Sequence, residues 1–266
     1  MNSDNPTQPA PLEDVTALDL LRALQDQPSC PVCYLTPQMV TKYLDGFAYE
    51  SVTDPHARHK LRASLGFCAP HGQAWLAQSD ALATAMIYDD VFTQVGKVLH
   101  SYLSSSPSKD EATAPPPDGL ASRLRGMLSG GRSGSPQGKA IAAALQPHQP
   151  CPACTYSHEV ERRLSKSFAR ALTHPAFMQA YLQHPMGPCL PHLRAVLPLI
   201  TDQAALTTLL RSYQSNLANT SAQLQEVIRK NDYRYSTEPR GPEFAAPARS
   251  VEQAGGLLPT QTNTTP

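Results

Sequence analysis

The sequence has no excess of either charge: 22 Lys and Arg balance 22 Asp and Glu, and the isoelectric point is about 7.1. That absence removes the bulk electrostatic argument for a protein of nucleic acid or of an anionic membrane surface. Long apolar runs are missing too, and nothing approaches the roughly 18 consecutive apolar residues that a membrane span requires. Residues 1–11 are polar, carry Asp4 and no Lys or Arg, and lack the basic and apolar regions of a secretory signal. The expectation is a cytoplasmic protein. Cysteine is scarce, with six in 266 residues; in a reducing compartment an even, small count favours metal ligation over a disulfide framework.

Strand-like alternation is also scarce, whereas helical spacing is plain. Val15, Leu18, Leu21 and Leu24 repeat every three residues, and Leu206, Leu209, Leu210, Tyr213, Leu217, Leu224 and Val227 mark one long stripe. Asp54 before Pro55 makes a helix start, with an N-cap acceptor followed by proline at the first helical position, and Gly66 is a terminator. Thr173, His174 and Pro175 begin a second such helix, which ends near Gly187. With 41% hydrophobic residues a real core is available. The Ser, Pro, Gly and Ala content of residues 104–138 reads as a flexible linker between helical modules at 12–103 and 139–235, and residues 236–266 read as a disordered tail. The fold predicted is all-α: two related metal-stapled helical bundles joined by that linker.

The cysteines carry the chemistry. Cys30, Pro31, Val32 and Cys33 are followed, after 34 intervening residues, by Cys68, Ala69, Pro70 and His71. Cys151, Pro152, Ala153 and Cys154 are followed, again after 34, by Cys189, Leu190, Pro191 and His192. A shift of 121 maps each first-half ligand onto a second-half ligand, and also Gly66 onto Gly187, Phe47 onto Phe168 and Leu61 onto Leu182. This is an internal duplication. All six cysteines fall in the two patterns, which random placement would not produce. A CxxC turn directs both sulfurs at one ion, and a CxxH pair at a helix start does the same from another element. Three thiolates and one imidazole suit zinc and leave no open position for a substrate, which describes a structural site. Two zinc ions are therefore expected, Cys30, Cys33, Cys68 and His71 holding one and Cys151, Cys154, Cys189 and His192 the other. Each would staple a helical hairpin. The same ligands also permit an iron–sulfur cluster or a thiol-based redox sensor.

The stretches Cys30–Cys33, Glu50–Arg58, Leu61, Arg62, Ser64–Gly66, Phe67, Cys68, His71 and Arg229–Tyr235 resemble a bacterial family of uncharacterised proteins marked by CPxC, GFCxxH and a late KxDYR signature. The resemblance spans most of residues 28–235. It implies this layout and a bacterial cytoplasm, and no reaction. One departure is an aromatic expected near the histidine, found here at Trp75.

Other features carry less. Glu50, Asp54, Arg58 and Arg62 step by four and suggest a ladder of surface ion pairs near the first site. His56 and His59 read as solvated helix residues. Asp232, Tyr233, Arg234 and Tyr235 are expected to dock the end of the last long helix. Gly134 to Ala140 fails as a phosphate loop, because its glycine spacing is wrong, no strand precedes it and Ala140 replaces the magnesium-binding hydroxyl. Arg123, Arg125, Arg132 and Lys139 make the linker basic, a spread of charge best read as solvated. No Ser/His/Asp or paired-carboxylate constellation is discernible. The expectation is a non-enzymatic, metal-stabilised interaction or regulatory protein with a protein partner, without membrane and without a strong nucleic-acid signal.

Overall fold

A computed structural model describes residues 12–79, 81–104, 135–235 and 237–256. Every regular element among the described residues is helical, so the chain is all-α. In order, these are α1 (Val15–Asp26), α2 (Pro31–Gly46) with a π-helical turn at Phe47–Ser51, α3 (Pro55–Ala63), α4 (Ala69–Leu76), α5 (Ala81–Ser104), α6 (Pro136–Ala144), α7 (Pro152–Ala171), α8 (Pro175–Gln183), α9 (Leu190–Val196), α10 (Gln203–Lys230) and α11 (Ala246–Gly255). None is long and apolar enough to cross a membrane.

The helix starts follow from local chemistry. Asp54 caps α3 by accepting from the amides of His56 and Ala57, with Pro55 at the first position. The chain leaves α3 through Leu65 and Gly66, both at positive φ (55° and 89°), and the Gly66 amide donates to the Leu61 carbonyl at 2.8 Å. Gly187 repeats this bend at φ 69° in the second half, and a Cβ there would meet Tyr181 Cε2 at 2.8 Å, so both conformation and packing require glycine. The repeat is not a uniform shift. Leu182 is about half exposed and does not match the buried Leu61; instead Ala57 and Leu61 of α3 correspond to the buried Phe177 and Tyr181 of α8, a displacement of 120. One extra residue between the end of α8 and Gly187 restores 121 at the next helix.

The chain packs as two compact units. One comprises the described residues through Leu44 together with those from Ala153 onward, and the other is Asp45–Pro152. These units differ from the modules expected at 12–103 and 139–235. In the first unit Leu20 and Leu24 of α1, Val32 of α2, Leu164 and Phe168 of α7, Phe177 and Tyr181 of α8 and Leu209 of α10 form one core. Phe168 meets Phe177 edge to face at 5.2 Å between centroids, and the Tyr181 hydroxyl donates to the Leu209 carbonyl at 3.0 Å. In the second unit, the fully buried Trp75 packs on Phe67 and Phe47, its Nε1 donating to Thr84 Oγ1 at 3.1 Å. The displaced aromatic at Trp75 is thus core, occupying on α4 the place that the buried Val196 takes on α9.

Two boundary expectations change. Residues 105–134 of the expected linker lie outside the described residues, but Ser104 ends α5 and residues 136–138 open α6, where Ser135 accepts from the Gly138 amide and Pro136 stands at the first position. Within the tail expected to be disordered from 236, residues 242–255 are helical. Proline and glycine content misled there, because Pro242 and Pro247 fall in the first turns of a 3₁₀ segment (Pro242–Ala245) and of α11, where no amide donor is needed, and Ala246 and Gln253 are buried. Residues 257–266 lie outside the described residues.

Candidate metal centres

All four ligand pairs stand at helix N-termini. Cys68 and Cys189 are the N-cap residues of α4 and α9, with extended ψ of 163° and 164°, and their carbonyls accept from Gly72 and Leu193 at 2.7 Å. Cys30 precedes Pro31 in the same way, its carbonyl accepting from Tyr34 at 2.9 Å, and Cys151 precedes Pro152 at the start of α7. The second ligand of each pair, Cys33, His71, Cys154 or His192, follows three residues later in the first turn. An N-cap residue and the third helical residue project to the same side, which explains the i, i+3 spacing. A proline in the first turn fixes the corner.

These pairs converge into two clusters. Cys30, Cys33, Cys189 and His192 form one, and Cys68, His71, Cys151 and Cys154 the other; within each, the donor atoms lie within 4.8 Å of one another. In the first, His192 Nδ1 is 3.5 Å from Cys30 Sγ, 3.3 Å from Cys33 Sγ and 3.1 Å from Cys189 Sγ, and Cys33 Sγ is 3.6 Å from Cys189 Sγ. In the second, His71 Nδ1 is 3.2 Å from Cys68 Sγ and 3.8 Å from Cys151 Sγ. A tetrahedral zinc with bonds of about 2.3 Å to sulfur and 2.0–2.1 Å to nitrogen has edges of roughly 3.5–3.8 Å, so the donors stand about where one ion needs them. Both histidines turn Nδ1 inward.

All eight residues singled out by the motifs are therefore in the clusters, but the expected partners are exchanged. Each CxxC meets the CxxH of the other repeat, not its own. The duplicated sequence offers each CxxC two chemically identical CxxH partners, so local spacing alone does not choose between them.

The two clusters differ in environment. Cys30, Cys33 and Cys189 are buried in the first core, whereas Cys68, His71 and Cys154 are only partly covered. Burial pushes the Cys30 thiol well up, and hydrogen bonds from Cys30 and Cys33 hold Cys189 down at about 4, helped by the amides of His192 and Cys189. Tyrosines wall both sites: burial and the neighbouring Cys189 and Cys30 push Tyr213 up to about 12, and burial together with Cys151 and Cys68 raises Tyr88. The ring of Tyr88 also lies against Gly66. Tyr213 was visible only as a member of the apolar stripe, and Tyr88 carried no signal.

The other sequence features have structural roles. Arg58 and Arg62 do not form a ladder with Glu50 and Asp54; both bind Asp90 of α5, Arg58 Nε at 3.1 Å, and Asp54 is occupied as a cap. Asp232 pairs with Arg234 at 2.7 Å, and Arg229 lies over the Tyr235 ring at 4.5 Å, while Tyr233 is exposed. Arg123, Arg125 and Arg132 lie outside the described residues.

Residues 12–261 match a family of unknown function, DUF6062. The chain belongs to that family. A relative outside this chain, an uncharacterized 23.9 kDa protein in the xynA 3' region of Caldicellulosiruptor sp. (strain Rt8B.4), is 26% identical over 206 residues, which are 77% of this chain and 83% of the relative. No solved structure matches this DUF6062 chain. The match reaches to 261, so it takes in α11 as well as both clusters.

Proposed function

We propose that this DUF6062 protein carries two structural zinc ions, each held by three cysteines and one histidine drawn from both repeats, and that it serves as a non-enzymatic interaction or regulatory protein. The observation that carries the reading is the pair of Cys3His quartets whose donor atoms lie within 4.8 Å of one another, enough protein ligands to fill a tetrahedron. Cys30, Cys33, Cys189 and His192 hold one ion, and Cys68, His71, Cys151 and Cys154 the other. Bound zinc supplies a cross-link and the charge that keeps three thiols ionised. An iron–sulfur cluster places its own iron and sulfide between the ligands and spreads the thiolates apart, so a Cys33–Cys189 sulfur separation of 3.6 Å favours a single ion. Closed coordination leaves no place for a substrate, which argues against catalysis and for a metal-stabilised platform that a protein partner binds.

Metal analysis and the visible spectrum of protein purified without air test this reading. Close to two equivalents of zinc in a colourless sample is the expected result. A brown sample with iron and sulfide would replace it with the redox reading.

A further inference from the structure

The first cluster is covered from one side by the chain's own C-terminal segment. At Gly256, which ends α11 with φ 81° and ψ 173°, a Cβ would lie 3.2 Å from Cys33 Sγ and 3.4 Å from Cys189 Sγ. A side chain there would crowd two sulfurs of the cluster, and the positive φ also favours glycine. In the second cluster three of the four residues, Cys68, His71 and Cys154, are partly exposed, against His192 alone in the first.

The segment is tied down along its length. Lys230 Nζ, at the end of α10, reaches Glu243 Oε1 at 2.8 Å and the Pro239 carbonyl at 2.9 Å, and Glu243 also accepts from the Gly241 amide at 2.9 Å. Lys230 and Glu243 are only 13% and 11% exposed, so this pair is less screened than a surface one. Arg229 binds Glu238, Arg249 reaches Gln223 at 3.4 Å, and Ala246 is fully buried.

We propose that residues 237–256 form a retaining strap over the Cys30, Cys33, Cys189 and His192 site. The proposal rests on the zinc reading above. The strap makes the two ions kinetically unequal: the strapped ion is retained and the ion at Cys68, His71, Cys151 and Cys154 exchanges. To leave, an ion must pass to a competing ligand, and that ligand needs access to the sulfur face that Gly256 covers.

The test is zinc transfer from the full-length protein to a chromogenic chelator. Two phases of one equivalent each are expected, the fast phase disappearing in Cys154→Ser and the slow one in Cys189→Ser. Glu243→Ala, which releases the strap at a distance from every ligand, is expected to speed the slow phase at least tenfold and leave the fast phase unchanged. Gly256→Ala, which forces a Cβ against the sulfurs, is expected to do the same. Glu243→Gln serves if circular dichroism shows Glu243→Ala to be misfolded. Two equivalents with a slow phase unchanged by the Glu243 variants would overturn the strap while leaving the zinc reading intact. Acceleration in Gly256→Ala alone would overturn it too, since that is local damage at the ligands. A slow phase that disappears in Cys154→Ser would reverse the assignment and overturn it. A wild-type protein that binds no zinc would overturn the zinc reading, and the strap with it.

Discussion

His184 shows how one side chain closes a corner near the first metal site. It is buried, its Nε2 donates to the Gln27 carbonyl at 2.8 Å, and its Nδ1 accepts from the amides of Met186 and Gly187 at 3.1 and 2.7 Å. Those partners require a neutral ring with the proton on Nε2, because a protonated Nδ1 would face two donors. Burial accordingly lowers the pKa of His184, against smaller opposing effects of the Gln27 and Ser29 backbone. Ser64 closes the matching bend before Gly66 with a hydroxyl that donates to the Leu61 and Gly66 carbonyls, so the first repeat lacks the titrating group. The sign follows from proton binding. As pH falls below about 6.5 the unfolded chain takes up a proton that the folded chain resists, so the contribution of His184 is complete above that value and is lost as pH drops through the lower, folded one. His184→Gln is therefore expected to flatten the dependence of unfolding free energy on pH between about 7 and 5, measured by denaturant titration with zinc held constant. Parallel slopes for the two proteins would show that His184 ionises alike in both states.

At the scale of elements, the sequence shows where helices begin more surely than what they meet. Asp54–Pro55, Gly66 and Gly187 act through local backbone chemistry, and all three do in the structure what their residue types suggest. The eight residues of the two clusters were legible for the same reason, since N-cap and first-turn spacing is local. Their partners were not, because Cys68–His71 and Cys189–His192 offer identical donors. The tail was misread because composition does not reveal that Pro242 and Pro247 stand in first turns or that Gly256 lies on sulfur. The exchange of partners has a direct consequence in double variants. Cys33→Ser with Cys189→Ser removes two ligands from one site and is expected to leave one zinc equivalent, whereas Cys33→Ser with Cys68→Ser removes one ligand from each and is expected to leave neither ion firmly bound. Metal analysis of purified, folded variants checks this, and the reverse stoichiometry would restore pairing within repeats.

For the whole molecule, the exchange makes the metal connections nested. The site holding Cys33 and Cys189 closes a long span of chain, and all four ligands of the other site lie inside that span. Loop-closure entropy grows only with the logarithm of length, so linking Cys33 to Cys189 instead of Cys68 changes the constraint on the unfolded chain by about 1.3 kcal/mol. That is small beside the roughly 10–16 kcal/mol a structural zinc site supplies, and packing, not chain entropy, must select the partners. A cut between the repeats reads this topology directly. With a protease site inserted among residues 105–134, one fragment keeps Cys30, Cys33, Cys68 and His71 and the other keeps Cys151, Cys154, Cys189 and His192. Each fragment then owns half of each site, and the core of the first unit also joins them, with Leu20 and Leu24 on one and Phe168 and Phe177 on the other. The cut protein is expected to elute as one species carrying both ions, and chelation is expected to weaken the association of the fragments by at least about 100-fold, a modest share of the binding energy of two sites. Two separate species, each retaining one zinc, would mean that every CxxC had kept its own CxxH and that the exchanged pairing is wrong.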